Sequence, residues 1–176
     1  MAAAPLERFY NLAVLSDAGY ETVISATEDE RRGLAEWAGV EEVSRLQGRI
    51  AVWPQSKTRF AIETEFEADI VQSCVVTLAP VHSRIARSFT RILHLAPGAH
   101  RFADRGGLVA PDSLDEEAPD EIERTRYDLA TPLREELALA IDPYPRAPGV
   151  GFDAPDDAED QPDSPFAVLE KLKRSS

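Results

Sequence analysis

The longest regular pattern in the chain is an alternation of apolar and polar side chains over residues 60–78. Even positions are mostly apolar, and after Ala61 the odd positions carry four acids in succession: Glu63, Glu65, Glu67 and Asp69. Successive side chains of a strand point to opposite faces, so the pattern predicts a strand with one buried face. From Val71 onward the odd positions also become apolar or small, which is typical of a strand covered on both faces. Because nineteen residues exceed the usual strand length, we expect a bend, bulge or break near Asp69.

Two flanking segments are predicted to pair with this long strand. Residues 42–53 precede it across a turn at 54–56, which predicts an antiparallel hairpin, with Gly48 as a candidate bulge. Pro80 is expected to end the long strand, and residues 84–95 then alternate imperfectly. We interpret 84–95 as a strand, and a helix stays open as the alternative because its apolar residues also fit helical spacing. Shorter strands are predicted at 8–14, 20–25 and 121–126.

Two segments carry helix signals. Thr27 and Glu30 have the spacing of a capping box, and Gly39 is a natural stop, so a helix is predicted over 28–38. Thr131 and Pro132 predict an N-cap and first turn for a second helix that ends near residue 141.

These elements predict an α+β fold built on a mostly antiparallel β-sheet, with a barrel-like form left open, and with two or three packed helices. The expected organisation is one α+β domain over residues 1–152, an acidic disordered linker over 153–163, and a C-terminal docking helix over 164–176.

Charge is unevenly distributed along the chain. The formal net charge is −13, and residues 112–123 and 153–163 are strongly acidic and carry no Lys or Arg. Overall acidity argues against a generic basic nucleic-acid sleeve but leaves room for a local basic patch. The single cysteine excludes an internal disulfide and fits a reducing compartment. With no secretory signal pattern and no run of about 18 apolar residues, we expect a cytoplasmic location and no membrane partner.

The segment after Pro80 is the densest cationic stretch of the chain. Such a run suits contact with a phosphate backbone, whereas the competing interpretation is a solvated strand edge whose charges discourage pairing. The candidate RNA contacts, including the basic C-terminal end, are Arg84, Arg87, Arg91, Arg101, Lys171, Lys173 and Arg174.

The C-terminal segment offers a different kind of contact. Phe166, Leu169 and Leu172 form a small apolar stripe at helical spacing. A helix of about ten residues is marginal alone in water, so this one must dock on the core or on a partner. The three residues are therefore candidate anchors of a partner-binding helix.

No catalytic residue, metal ligand or cofactor is assigned from the sequence. Cys74 lies on the apolar parity, so a buried structural cysteine is favoured over a nucleophile working with His82 or His94. We expect burial in a strand to raise its pKa. The scattered histidines give no metal-ligand spacing, and no phosphate-binding or nucleophile motif is present. The chain is therefore not expected to be an enzyme.

Three segments together resemble the YceD-like family of large ribosomal RNA subunit accumulation proteins. VQSCVVTLAPV at 71–81 is similar to the family's central cysteine strand, and YDLATPLREELALAIDPYPRAPG at 127–149 to its Asp-Leu-led helix. SPFAVLEKLKR at 164–174 resembles the family's terminal motif and is the most specific of the three. The resemblance spans roughly residues 40–174.

The resemblance implies a non-catalytic accessory factor in ribosome biogenesis that supports 23S rRNA synthesis, processing or accumulation. Its partner would be rRNA or an rRNA-associated protein. The alternative is a protein-interaction adaptor that uses the C-terminal helix and touches no nucleic acid. Some relatives carry a CxxC pair suspected of binding metal. Here Val71 takes the first position and only Cys74 remains, so a metal site is not carried over.

Overall fold

The structure, a computed structural model, describes residues 5–96 and 119–151. Within these ranges the chain forms seven strands and two α-helices, with a 3₁₀ turn at Leu12–Val14. In chain order the elements are β1 Phe9–Asn11, β2 Tyr20–Ser25, α1 Glu28–Ala38, β3 Glu42–Pro54, β4 Arg59–Ser73, β5 Pro80–Leu95, β6 Asp120–Ile122, β7 Arg126–Asp128 and α2 Thr131–Ala140.

The described strands form two open sheets. The larger has the order β2-β3-β4-β5-β6 and is antiparallel except for the short parallel contact between β5 and β6. The smaller is an antiparallel pair of β1 and β7. The predicted α+β fold with a mostly antiparallel sheet is therefore confirmed, and no barrel-like closure is found among the described residues.

Strand β4 is the centre of the large sheet, and its even positions face the core. Phe60, Ile62, Phe66 and Ile70 on this strand are buried, as the alternation predicts. Helix α1 packs on β3, and α2 packs on β4 and β5. The helices thus cover one face of the sheet and leave the four acids of β4 on the other.

The expected irregularity near Asp69 is present, but it lies on the neighbouring strand. The register between β3 and β4 shifts between Val43 and Arg45, so Ser44 is the extra residue, and its hydroxyl donates to the Asp69 carbonyl at 3.1 Å. Gly48, the predicted bulge, instead pairs in register with Phe66. A Cβ there would lie 2.7 Å from the Glu65 carbonyl oxygen, so glycine is required by close packing of the two backbones.

The prediction that β4 continues to residue 78 is wrong. The strand ends at Ser73, and residues 74–79 form a turn. Two backbone hydrogen bonds close it, from Cys74 N to Ala79 O at 2.8 Å and from Leu78 N to Cys74 O at 2.9 Å. The apolar run misled the prediction because exposed turn residues and buried strand residues have the same composition here.

Other boundaries were predicted with mixed success. Residues 84–95 are a strand, as favoured over a helix, but Pro80 begins β5 and does not end β4, which stops at Ser73. The single strand expected at 121–126 is two, β6 and β7, which belong to different sheets. The strand expected at 8–14 is shortened to β1 because residues 12–14 turn.

The predicted N-cap is confirmed for α1 but is wrong for α2. The Thr27–Glu30 capping box of α1 is confirmed in both directions, and Gly39 ends the helix at a φ of 69°. In α2 the N-cap is Ala130 and not the predicted Thr131, and its side chain caps nothing. Asp128 supplies the missing acceptor, because its Oδ1 receives the Ala130 N–H at 3.1 Å.

A buried ion pair joins the N-terminal segment to α2. Arg134 Nη1 donates to Asp128 Oδ2 at 2.7 Å, and both side chains are only 10% exposed. Asp128 Oδ1 also receives the Arg8 N–H at 2.6 Å, and Arg134 donates to the Leu6 carbonyl. This network fixes the edge where β1, β7 and α2 meet.

The predicted linker over 153–163 and helix over 164–176 lie outside the described residues. The division of the chain at residue 152 therefore stays a prediction.

Candidate interaction surfaces

Arg84, the first candidate RNA contact, lies on the open face of the large sheet. Its register partner is Asp69, so its side chain stands beside the acid column of β4. It donates to Glu67 Oε2 at 2.6 Å and lies 3.9 Å from Asp69 Oδ1. The hydrogen bond to Glu67 and the charges of Glu67 and Asp69 raise the pKa of Arg84.

Arg87 and Arg91 lie on the opposite face, beside α2. Arg91 Nη1 donates to Glu135 at 2.5 Å and lies 3.6 Å from Asp120, while Arg87 Nε is 3.8 Å from Glu136. Partial burial disfavours the charged form of Arg91, but these carboxylates outweigh it and raise the pKa.

The three arginines therefore do not form one continuous cationic surface. Arg84 is at an even position and Arg87 and Arg91 are at odd positions, so the alternation of a strand places Arg84 on the opposite face, and the sequence alone predicts this. Their carboxylate partners on α2 and β6 are distant in sequence, so pattern reading had no signal for them. The remaining candidate RNA contacts (Arg101, Lys171, Lys173 and Arg174) and the anchors Phe166, Leu169 and Leu172 lie outside the described residues.

Cys74 is buried, as predicted, but it lies in the turn after β4. Its side chain is 0% exposed, and the Ala147 N–H donates to its Sγ at 3.4 Å. Hydrogen bonds from the Thr77 side chain and from the backbone N–H groups of Ala147, Thr77 and Val76 lower the pKa of Cys74 to about 6. The expected upward shift is wrong because hydrogen bonds that favour the thiolate outweigh desolvation.

The turn exposes a set of apolar side chains that sequence reasoning had assigned to a covered strand. Val75 N donates to Pro145 O at 2.9 Å, which holds the segment after α2 beside the turn. Leu78 is 76% exposed and Tyr144 is 72% exposed. We call this surface the turn patch; it consists of Val75, Val76, Leu78 and Tyr144.

Leu78 adds a conformational signal to the patch. Its φ of 60° is in the left-handed region, and it is the only non-glycine residue with positive φ among those described. For a leucine this conformation costs about 1 to 2 kcal/mol, so the turn holds a bulky apolar side chain outward against local preference. Such outliers concentrate at functional sites.

Within residues 5–96 and 119–151, no group of three or more His, Cys, Asp or Glu side chains has a metal-binding arrangement. In the same part of the chain, neither helix has the length and apolar character needed to cross a membrane.

Comparison with known proteins gives one result. No curated protein and no solved structure matches the chain. A family model described as "Large ribosomal RNA subunit accumulation protein YceD" matches residues 62–173. This range includes most of β4, β5, the turn patch and the Asp128–Arg134 pair. It covers two of the segments that carry the resemblance in full and all but the last residue of the third. The chain therefore belongs to the YceD family of large ribosomal RNA subunit accumulation proteins.

Proposed function

We propose that this protein is a non-catalytic accessory factor that supports 23S rRNA accumulation by binding an rRNA-associated protein through the turn patch. The observation that carries the proposal is the outward presentation of apolar side chains by a strained turn. Leu78 and Tyr144 are each more than two-thirds exposed, and Leu78 has an unfavourable φ. Exposed apolar groups set in a polar rim are typical of protein-interaction sites.

Charge indicates what kind of protein this partner is. The chain carries a net charge of −13, and its acids dominate two long segments. An acidic protein associates fastest with a basic one, because complementary charge steers the encounter. The expected partner is a basic protein bound to the large-subunit rRNA, with an apolar side chain that covers Leu78.

The charge state of β5 favours a protein partner over bare RNA. Arg84 and Arg91 each donate to a carboxylate of this chain, at 2.6 and 2.5 Å. A phosphate that bound either guanidinium would compete with that carboxylate and leave it without its cation. The electrostatic gain of each phosphate contact would therefore be small.

The thiol is not expected to act as a nucleophile. Its pKa is low enough for a thiolate near neutral pH, but the side chain is fully enclosed. A substrate would reach it only if the turn opened. Its contacts instead support a structural role, holding residues 74–79 against the segment that follows α2.

The proposal is tested by cofractionation with large-subunit precursors, before and after RNase treatment. We expect association that survives RNase and that falls at least tenfold in Leu78→Ser. Val14→Ser is the matched control, because Val14 is 69% exposed but lies in the 3₁₀ turn after β1, outside the turn patch. Association that RNase abolishes, or that Leu78→Ser leaves intact, contradicts the proposal.

Direct RNA contact through β5 is the second candidate function. It is favoured by the exposure of Arg84 and Arg87, whose side chains are 60% and 49% accessible despite their ion pairs. If RNA binds there, replacing Arg84, Arg87 and Arg91 with Ala weakens rRNA association and reduces its salt dependence. Unchanged retention of precursor rRNA by this triple variant contradicts direct contact.

A further inference from the structure

We propose that residues 164–174 of the same molecule dock on the turn patch when no partner is bound. The apolar stripe Phe166, Leu169 and Leu172 would cover Leu78 and Tyr144. This docking needs no partner to be tested. The proposed function enters in one respect only: docked residues 164–174 would compete with the partner protein for the turn patch.

Burial of the turn patch by another segment is expected to be favourable. Leu78 and Tyr144 expose large apolar side chains, and removing such a side chain from water contributes about 1.5 to 3 kcal/mol. The turn is held firmly enough to present them, because Val75 N and Cys74 Sγ both bond to the segment at 145–147. The patch is therefore a preformed docking site.

The chain leaves the described structure close to the turn patch. Ala147 N lies 3.4 Å from Cys74 Sγ, and Gly151 is the last described residue, four positions later. Residues 152–163 then reach at most about 40 Å when fully extended. A Gly/Ser-type chain of this length has a root-mean-square span of about 20 Å. The C-terminal segment is consequently held near the patch at an effective concentration of the order of millimolar.

The composition of the C-terminal segment matches this site. It presents three large apolar residues at helical spacing and ends in a basic cluster: Lys171, Lys173 and Arg174. A helix of this length is marginal alone, so an apolar surface would stabilise it.

Acidic side chains lie at the end of the sheet where the turn patch is found. Glu41 N donates to Val71 O at 3.0 Å, and the Ser73 hydroxyl donates to the Glu41 carboxylate. Asp142 is held there by Gln72, whose side-chain amide donates to the Asp142 carbonyl at 2.9 Å. Both carboxylates complement the basic cluster of residues 171–174.

Hydrogen–deuterium exchange of the purified full-length protein tests the docking. We expect amides of residues 75–78 and 166–172 to exchange about tenfold more slowly than in variants that cannot dock, the effect of a docked state populated about ten to one. Leu78→Ser and the double variant Phe166→Ser/Leu169→Ser should each remove protection from both segments. Val14→Ser, a substitution of similar exposure outside the turn patch, should leave it unchanged.

The deciding observation is whether a substitution in one segment removes exchange protection from the other. Loss of protection at residues 166–172 in Leu78→Ser, with unchanged exchange in β4 and α1, supports docking in an intact fold. Equal exchange in wild type and both variants overturns it. Protection that disappears on tenfold dilution also overturns it, because the occupant would then be a second copy. None of these outcomes depends on the partner of the proposed function.

Discussion

Removal of the Asp128 carboxylate is expected to be among the most destabilising single changes in the described fold. Asp128 and Arg134 are separated by 2.7 Å and are each 10% exposed, so the Asp128→Ala variant leaves a buried guanidinium without its counter-charge. Breaking one side of such a pair costs about 3 to 5 kcal/mol. The same substitution removes the acceptor for the Arg8 and Ala130 N–H groups, which places the expected loss near the upper end.

The assay is urea unfolding at neutral pH, followed by circular dichroism, with a thermal scan as a second measurement. A loss of about 4 kcal/mol corresponds to a fall in the thermal midpoint of roughly 10 to 15 °C for a domain of this size. Asp29→Ala is the control, because Asp29 and Arg32 form an exposed pair whose removal should cost less than about 1 kcal/mol.

The double variant Asp128→Ala/Arg134→Met separates the charge effect from general damage. It removes the stranded cation, so it should be at least about 1 kcal/mol more stable than Asp128→Ala alone. If Asp128→Ala loses no more than the Asp29 control, or if the second substitution adds a further loss, the pair does not hold α2 to the N-terminal segment.

Three further predictions follow from individual contacts. Because hydrogen bonds lower the pKa of Cys74 to about 6 from an ordinary value near 9, its contribution to stability is complete above the unfolded pKa and is lost as pH falls through 6. Thiolate absorbance should therefore titrate near pH 6 in the folded protein, and a midpoint above 8 contradicts this. Gly48→Ala should cost about 1 to 3 kcal/mol in urea unfolding, because the new methyl group meets the Glu65 carbonyl, and an unchanged midpoint refutes the close approach. Leu78→Gly relieves a positive φ but also removes the side chain that residues 164–174 are proposed to cover, so we expect no net gain in urea unfolding of the full-length protein; a gain of about 1 kcal/mol or more would contradict that docking.

Local signals predicted the parts of the fold that depend on local chemistry. The capping box at Thr27 and Glu30 forms because both partners lie within one turn of helix, so the sequence alone specifies it. Strand β4 was predicted for the same reason, since alternation is a local property. Thr131 had the same kind of signal, yet its role passed to Ala130 because Asp128, outside the helix, satisfies the donor.

The candidate site needed tertiary information that no local pattern carries. Apolar residues 75–78 continue the composition of β4, and the segment at 145–147 that bonds to Val75 and Cys74 in the turn lies about seventy residues away. The carboxylates of α2 that pair with Arg87 and Arg91 are also distant in sequence, with 44 positions between Arg91 and Glu135. The sequence shows which residues are charged, but which of these charges are already held in ion pairs depends on the fold.

The placement of β1 also has a consequence for how the protein is made. Among the described strands its three residues pair with β7 alone, and Arg8 bonds to Asp128, 120 positions later. At about 5 to 20 residues per second, ribosomes need roughly 6 to 24 s to synthesise the intervening chain. Strand β1 thus leaves the ribosome well before its partner, and until β7 is made the nascent β1 segment presents unpaired backbone groups that a chaperone is suited to hold.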